Sequence, residues 1–296
     1  MAELLQLTVN GLISGSVLAM AAVGLSLAFG ILKIVNYSHG ELLTLGAYFT
    51  VSFNIAAGWP MIIATAAAMA VVAALMLVVD WALFRPLRAK GAGLLSKFFV
   101  AIGLALILRH VVYLFWGSRP RRFDVDSFQV YDLGIIRITF SQMVVIVTAA
   151  IVIPLIGLML AKTTTGKTMR AISDNEELAA VAGVNRRRAI TVTWTLAAGL
   201  GALAGVLQGL VQNSFDPNMG FFLLLTIFAA VILGGVGSAY GALTAGLVLG
   251  LMMDLSTWNM LGGGLPSVYK PVVAFLILVV LLVFRPTGLF GKARVI

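Results

Sequence analysis

The sequence predicts an all-α, polytopic integral membrane protein with about eight to ten transmembrane helices. Hydrophobic residues make up 61% of the 296 positions and charged residues only 10%, whereas a soluble domain carries about a quarter charged residues. The apolar residues form long runs of roughly the 20 residues that cross a bilayer. The segments between these runs are rich in Lys and Arg, which is typical of the loops of multi-pass membrane proteins.

Apolar segments bounded by charges or by Gly and Pro clusters define the predicted spans, which together form one transmembrane domain over residues 1–296. The spans cover residues 7 to 32, 42 to 57, 61 to 84, 98 to 115, 141 to 161, 189 to 212, 221 to 234, 242 to 257 and 271 to 284. The first run is too long for the apolar region of a signal peptide and follows an acidic N-terminus, so we expect it to be retained as a span.

The composition also excludes several kinds of chemistry. The chain has no Cys and two His, so neither a disulfide scaffold nor a metal site built from these ligands is expected. No Ser/His/Asp set, paired-carboxylate site or His/Glu cluster is apparent, and we therefore expect no catalytic residue, no metal and no cofactor. The net charge of +9 is accounted for by basic loops rather than by nucleic-acid binding.

The distribution of Lys and Arg predicts the orientation of the chain. Thirteen of the 20 Lys and Arg residues lie in three stretches, 80–97, 162–188 and the tail from Arg285 that includes Lys292 and Arg294. With the predicted spans, all three stretches face the same side, which the positive-inside rule makes cytoplasmic. This places the N-terminus outside and the C-terminus inside. Segment 117–140 lies on the opposite side although it holds four Arg, which three Asp largely offset.

Glycine residues recur at a spacing of four within the predicted spans. This spacing puts them on one helix face, where a second helix can approach closely. Such contacts lie either within one bundle or at an interface between subunits. The residues are Gly11 and Gly15, then Gly201, Gly205 and Gly209, then Gly246 and Gly250.

The segment from Ser173 to Asn185 predicts a short helix outside the membrane, between the fifth and sixth spans. Ser173 and Glu176 form a capping box, and Gly183 is suited to the C-terminal cap. Acidic residues near its start complement the helix dipole. They are Asp174, Glu176 and Glu177. Such a helix either rests on lipid headgroups or docks a partner protein.

Residues 161–168 match a relaxed phosphate-loop pattern that includes Gly166, Lys167 and Thr168. A phosphate loop requires a strand before it and a helix after it within an α/β domain. Here a transmembrane helix precedes the motif, so we expect no nucleotide site, and any ATP hydrolysis belongs to a separate subunit.

The segment Asn36 to Glu41 interrupts two apolar runs. Ser38 and Glu41 form a capping box for the second span. Alternatively, the break lies at membrane depth, where helix ends can meet a polar solute and where His39 and Glu41 would be candidates for a solute path.

We expect Asn213–Gly220 and Gly234–Gly241 to be turns. Four other charged or titratable residues are expected near span ends, where snorkelling suffices. They are Arg109, His110, Asp254 and Lys270.

Several stretches, in order along the chain, resemble the permease subunits of bacterial branched-chain amino acid ABC transporters, a family that also includes urea and short-amide permeases. The stretches are Asn10-Gly11 with Gly15, Asn36 to Glu41, Leu45 to Tyr48, Arg85 to Leu87, Thr165 to Ala171, Asp216-Pro217 with Met219-Gly220, Leu233 to Ser238, and Arg285 to Leu289. Glu177, Ala179 and Gly183 also match the spacing of the loop pattern of such permeases, with Leu178 in place of its second alanine.

The resemblance implies a type II importer-like permease of the bacterial inner membrane. It would associate with membrane lipid, a second homologous permease, two ATP-binding subunits and a periplasmic solute-binding protein, and with no nucleic acid. The loop helix would dock on an ATPase as the coupling helix, with coupling residues Arg170, Asp174, Glu176, Glu177, Ala179, Gly183 and Asn185. The predicted substrate-path residues are Asn10, Asn36, Ser38, His39, Glu41, Asn213, Asp216 and Met219.

Three alternatives stay open from the sequence. An ion-coupled secondary transporter or channel would also be all-helical and would act without an ATPase; it is expected to use intramembrane carboxylates, for which Glu41 and Asp254 are candidates. The others are an intramembrane enzyme and a scaffold subunit without a pathway. The sequence also leaves open whether the solute is a branched-chain amino acid, urea, an amide or an aromatic acid.

Overall fold

The computed structural model describes residues 2–125, 129–132, 134, 136–259 and 264–291. Lys292 and Arg294 of the basic tail lie outside the described residues. The helices are α1 (Ala2–Leu32), α2 (His39–Val51), α3 (Met61–Val79), α4 (Arg85–Ala89), α5 (Leu94–Trp116), α6 (Phe140–Lys162), α7 (Thr164–Asp174), α8 (Glu176–Val181), α9 (Arg186–Gln212), α10 (Met219–Gly234), α11 (Ala239–Leu255) and α12 (Lys270–Phe284).

Short irregular elements connect these helices. A π-helical turn, Ser52–Ala56, extends α2, a second one, Asp80–Phe84, joins α3 to α4, and a 3₁₀ turn, Ser267–Tyr269, precedes α12. Strands β1 (Val130–Asp132) and β2 (Arg137–Thr139) pair antiparallel between α5 and α6. This hairpin was not among the elements predicted from the sequence.

The predicted fold class is confirmed: every predicted span falls on a helix. Among the described residues, six helices are long and apolar enough to cross a membrane. Helices α10 and α11 are apolar but shorter, with 16 and 17 residues. Helix α2 has only 13 residues before its π turn. The six long helices are Ala2–Leu32, Met61–Ala89, Leu94–Trp116, Phe140–Lys162, Arg186–Gln212 and Ser267–Phe284.

Helix α1 lies at the centre of the bundle. It is apolar on all sides, as a helix surrounded by protein must be, and almost all of its most apolar stretch is buried. Its glycines pack against α11: a Cβ on Gly250 would overlap the backbone of Gly15. In the same way a Cβ on Gly205 of α9 would overlap the carbonyl of Leu43 in α2. These glycines, which are four residues apart along each helix, therefore mediate helix contacts within one chain.

Contacts between chain segments define two ends of the bundle. At one end Gly30 lies against Gly237 and Ser173, and the backbone N–H of Leu289 donates to the carbonyl of Leu233 at 2.8 Å. The stretch after α3 reaches this end through Asp80, which contacts α9 roughly two turns from its start. The described parts of all three basic stretches thus share one end, here named the basic end. The membrane side that it faces stays a prediction.

The opposite end is held by other polar contacts. The indole N–H of Trp116 donates to the hydroxyl of Ser52 at 2.7 Å. Gln6, near the start of α1, donates through Nε2 to the carbonyl of Arg137 at 3.0 Å. The two termini of α1 therefore lie at opposite ends of the bundle, and α1 spans its full height.

Candidate functional site

Helix α2 begins inside the bundle. The imidazole of His39, the first residue of α2, is fully buried, and its Nε2 lies 3.0 Å from the carbonyl oxygen of Ala21. The ring also lies against the positions of Gly24 in α1 and Gly201 in the middle of α9. Asn36 is buried as well. The break between the first two spans therefore lies well within the protein, close to the middle of α1 and α9.

The capping box predicted from Ser38 and Glu41 is wrong. The side chain of Ser38 makes no cap hydrogen bond; its hydroxyl donates to Oδ1 of Asn36 at 2.6 Å. Glu41 turns away from the backbone toward a cation on another helix. A buried carboxylate is stabilised more by a charged partner than by an amide, because desolvation makes an unpaired charge costly.

The partner of Glu41 is Arg109 of α5. Oε1 of Glu41 accepts from Nη2 of Arg109 at 2.5 Å and from Nε at 3.1 Å. The exposed fractions are 2% for the Glu41 side chain and 13% for that of Arg109. The guanidinium carbon of Arg109 also lies 4.2 Å from the ring centroid of Phe221, in the first turn of α10. One charge pair thus links α2, α5 and α10.

Sequence reasoning missed this pair. Arg109 was expected to snorkel near a span end, but it lies about two turns inside α5 and is neutralised by Glu41. A single cation within an otherwise apolar run is the signal that could have found it, since such a charge requires a partner. Asp254 and Lys270, also expected to snorkel, pair with each other at 2.6 Å between Oδ1 and Nζ.

Helix α10 begins beside the start of α2. The backbone N–H of Gly220 donates to the hydroxyl of Thr44 at 3.1 Å. A Cβ on Gly220 would overlap the carbonyl oxygen of Gly40. The chain from Asn213 to Met219 therefore runs back into the bundle after α9 instead of forming the plain turn that was expected. Two helix N-termini, with their partial positive charge, meet at this point.

The predicted path residues divide into two groups. Asn36, Ser38, His39, Glu41 and Met219 are all buried around this meeting point of helices. The other group lies elsewhere. Oδ1 of Asn10 accepts from Gln6 and Gln142 near the opposite end, Asn213 is exposed where α9 ends, and Oδ1 of Asp216 accepts from the amide of Asn218 within its own turn. The glycines around Val236 form the expected turn at the basic end.

The loop between α6 and α9 forms two helices where one was predicted. Asn175 is extended at φ −153° and ends α7, and its Oδ1 accepts from the amide of Leu178 at 3.0 Å, so Asn175 caps α8. Ser173 instead lies in the last turn of α7, where its carbonyl accepts from Nζ of Lys33 at 3.3 Å. The capping box of Ser173 is therefore wrong, because Asn, itself a preferred N-cap, caps α8 two residues later.

Gly183 ends α8 as the sequence predicts. Its φ is +79°. Its amide donates to the carbonyl of Ala180 at 3.0 Å, and the amide of Val184 donates to that of Ala179 at 3.0 Å. This pair of hydrogen bonds is the Schellman arrangement, in which glycine adopts the left-handed conformation without steric cost.

Helix α8 presents apolar side chains to its surroundings. Leu178 is 67% and Val181 87% exposed, whereas Ala179 on the inner face is 5% exposed. Asp174 and Glu177 are exposed as well, and Glu176 pairs with Arg186 at the start of α9.

Besides Glu176, two other predicted coupling residues make contacts within the chain. Arg170 donates through Nη1 to the carbonyl of Leu160 and so caps the C-terminus of α6. Oδ1 of Asn185 accepts from the amide of Arg188 at 3.0 Å and caps the start of α9. The phosphate-loop-like residues 161–168 join the helices α6 and α7, with Thr163 accepting from the amide of Gly166 at 3.1 Å.

These features define a class of protein. A bundle of apolar helices, a buried polar site where two short helices begin, and a helical loop at one end are the parts of a multi-pass membrane permease. Residues 7–282 match the family model for the branched-chain amino acid transport system permease component. The chain belongs to this family of transport permeases.

Curated relatives agree with this membership. The high-affinity branched-chain amino acid permease BraD of Pseudomonas aeruginosa is 30% identical over 98% of this chain and 97% of its own length. LivH of Escherichia coli K12, with the same description, is 30% identical over 98% of this chain and 96% of its own. The galactose/methyl galactoside import permease MglC of Haemophilus influenzae is 29% identical over 57% of this chain and 51% of its own. No solved structure matches the chain significantly.

Proposed function

We propose that this chain is one half of the solute pathway of an ATP-driven importer in the bacterial inner membrane. A second, homologous permease completes the pathway, two ATP-binding subunits drive it, and a solute-binding protein delivers the solute. The chain itself carries out no chemical reaction. The C-terminus and the basic end face the cytoplasm, as the positive-inside rule predicts.

The proposed solute is a branched-chain amino acid or a closely related small polar molecule. BraD and LivH are described as branched-chain amino acid permeases, and each matches nearly the whole chain. The galactose permease matches only 57% of it. Full-length similarity therefore favours an amino acid over a sugar.

Helix α8 is the observation that carries the proposal. A six-residue helix that exposes Leu178 and Val181 is suited to dock in a groove of another protein, because burial of such side chains drives association. Movement of α8 would reach the core through α7, whose Ser173 carbonyl holds Lys33 at the end of α1. An ATPase that moves α8 could thus switch the packed helices between two states.

The buried carboxylates support an external motor over ion coupling. Among the described residues, the buried carboxylates are Glu41 and Asp254, and each pairs with a cation of the same chain. A carboxylate that carries a coupling ion must exchange that ion during transport. An internal Arg or Lys partner competes with such an exchange.

The test is to alter α8 while the transporter still assembles. We expect Gly183→Trp and Glu177→Arg to abolish uptake of radiolabelled leucine, because they obstruct the docking surface. Gly91→Trp is a matched control: Gly91 also has a positive φ, +67°, with open space around it, but lies between α4 and α5. Normal uptake with the altered α8, or uptake by the purified chain alone, would contradict the proposal.

A further inference from the structure

Arg109 places a cation on a surface that cannot face lipid. It lies in α5 among apolar residues, level with the buried start of α2, and its side chain keeps 13% of its surface exposed. An exposed guanidinium is very costly in hydrocarbon, so intramembrane Arg faces a protein interior or a water-filled cavity. In the assembled transporter, this face of α5 therefore meets a partner subunit or the solute path.

One carboxylate oxygen of Glu41 has no hydrogen-bond donor among the described residues. Both hydrogen bonds from Arg109 end on Oε1. Oε2 is buried, and it accepts no hydrogen bond from any residue that the structure describes. Buried carboxylate oxygens normally find donors, and the strongest donor available to a carboxylate is a charged group such as an ammonium.

A group of four aromatic rings extends from the ion pair of Glu41 and Arg109. The ring centroid of Tyr37 lies 6.1 Å from that of Phe98, 6.4 Å from that of Phe221 and 6.4 Å from that of Phe228. All four rings are half-buried, and Phe221 also lies under the guanidinium of Arg109. We name these four residues the aromatic wall. Its surface is suited to cover a small hydrocarbon side chain.

We infer that Glu41, Arg109 and the aromatic wall form a binding site for a zwitterionic amino acid with an apolar side chain. The ammonium of the amino acid donates to Oε2 of Glu41, its carboxylate binds the guanidinium of Arg109, and its side chain lies on the aromatic wall. The inference rests on the proposed function, because the binding site would lie on the solute path of the importer.

The charge balance of the site fits such a ligand. Without solute, Glu41 and Arg109 neutralise each other, so the site holds no uncompensated charge. A zwitterion adds one charge of each sign, each opposite its partner, and leaves the net charge at zero. A ligand with one charge would leave one member of the pair without its counterpart. The site therefore favours ligands that carry one positive and one negative charge.

The decisive variant removes the ion pair but keeps the packing. Replacing a buried ion pair by apolar residues of similar volume is often neutral or stabilising, so Glu41→Met with Arg109→Met should assemble with an unchanged Tm. We expect its initial rate of leucine uptake to fall at least tenfold, the scale of losing a charged hydrogen bond. Retained uptake would overturn the inference. A double variant that no longer assembles would make the pair a folding element and would overturn it too.

The second ion pair of the chain provides a matched control. Asp254 and Lys270 join α11 to the start of α12, with side-chain exposures of 5% and 27%. The double variant Asp254→Met with Lys270→Met removes the same kinds of charge away from α5 and α10. Its uptake should stay within about twofold of wild type, since the lost pair lies outside the site. An equal loss of uptake in both double variants would overturn the inference.

Binding to the purified transporter complex tests the charge pattern directly. Millimolar leucine should raise the Tm of the wild-type complex, because a ligand of the folded state stabilises it. Neither 4-methylpentanoate, which lacks the ammonium, nor isoamylamine, which lacks the carboxylate, should do so. The Glu41→Met, Arg109→Met complex should not respond to leucine. Equal shifts from either analogue, or no shift with leucine, would contradict a zwitterion site.

A final comparison separates this inference from the proposed function. Wild-type uptake is measured in cells with and without the ATP-binding subunits. Uptake that persists without them would refute the ATP-driven role, whereas the Tm response to leucine would still test the site. Uptake that needs them but is unaffected by the loss of Glu41 and Arg109 would refute the site alone.

Discussion

The indole nitrogen of Trp194 donates a 2.6 Å hydrogen bond to Oδ1 of Asp80, so the π turn after α3 is tied to α9. Arg88 pairs with the same carboxylate at 2.8 Å, and the ring of Phe84 stacks on the indole with centroids 5.4 Å apart. Trp194 is fully buried. This cluster therefore anchors α9, the helix that directly follows the α8 loop, to the segment after α3.

Loss of the Asp80 carboxylate should destabilise the protein strongly. Asp80→Ala removes the acceptor of Trp194 and leaves Arg88 without its counter-charge in a mostly buried setting, which typically costs about 3 to 5 kcal/mol. Asp132→Ala is the matched control, since Asp132 and Arg137 form an ion pair with side chains 56% and 76% exposed. Exposed pairs contribute about 0 to 1 kcal/mol. Tm values of the two purified variants should differ clearly; equal values would contradict the role of the cluster.

The backbone contact between Gly40 and Gly220 predicts a steric limit. Gly220→Ala would place a methyl group against the carbonyl of Gly40 and the hydroxyl of Thr44, and overpacking typically costs about 1 to 3 kcal/mol. Gly103→Ala in α5 has open space around it and should gain about 0.5 to 1 kcal/mol from helix propensity. Thermal unfolding should therefore shift down for Gly220→Ala and up for Gly103→Ala. A Gly220→Ala variant as stable as wild type would show that α2 and α10 are not in contact.

His39 should act in packing rather than in solute binding. Its ring fills the space between α1 and α9, against Gly24 and Gly201, whereas Glu41 faces α5. His39→Ala would leave a cavity and lower the Tm, but it should leave the KM for leucine uptake unchanged. Uptake kinetics and thermal unfolding of the same preparation separate the two effects. A raised KM with an unchanged Tm would place His39 on the solute path.

The sequence was sufficient for the spans but not for the site. Apolar runs and their bounding charges depend on local composition, so each predicted span falls on a helix. Gly183 ends α8 because its own positive φ favours glycine, which is also a local property. Glu41 and Arg109 are 68 positions apart. Nothing in the periodicity of helices that are apolar on all faces indicates which of them are neighbours. The local capping motif of Ser38 and Glu41 pointed to the wrong partner, because tertiary charge pairing outweighs a cap.

A break at membrane depth was one of the two interpretations of the segment from Asn36 to Glu41, and the lengths of α2 and α10 support it. Helix α2 has 13 residues and α10 has 16, fewer than the roughly 20 that span a bilayer. Short apolar segments flanked by Asn, Asp, Ser and Gly are typical of broken membrane helices around a binding site. The glycine contacts that bring the two starts together depend on tertiary packing and are not visible in the sequence.

Orientation can be tested with single cysteines, because the chain has none of its own. Val181 in α8 is 87% exposed and Val130 in the hairpin is 57% exposed, and α8 and the hairpin lie toward opposite ends of the bundle. If the basic end faces the cytoplasm, a membrane-impermeant maleimide added to intact spheroplasts should label Val130→Cys and not Val181→Cys. Inverted membrane vesicles from cells that lack the ATP-binding subunits, which would otherwise cover α8, should give the reverse pattern. Labelling of Val181→Cys in intact spheroplasts would place α8 outside the cell, where no ATP-binding subunit could reach it, and would refute the coupling role of the loop.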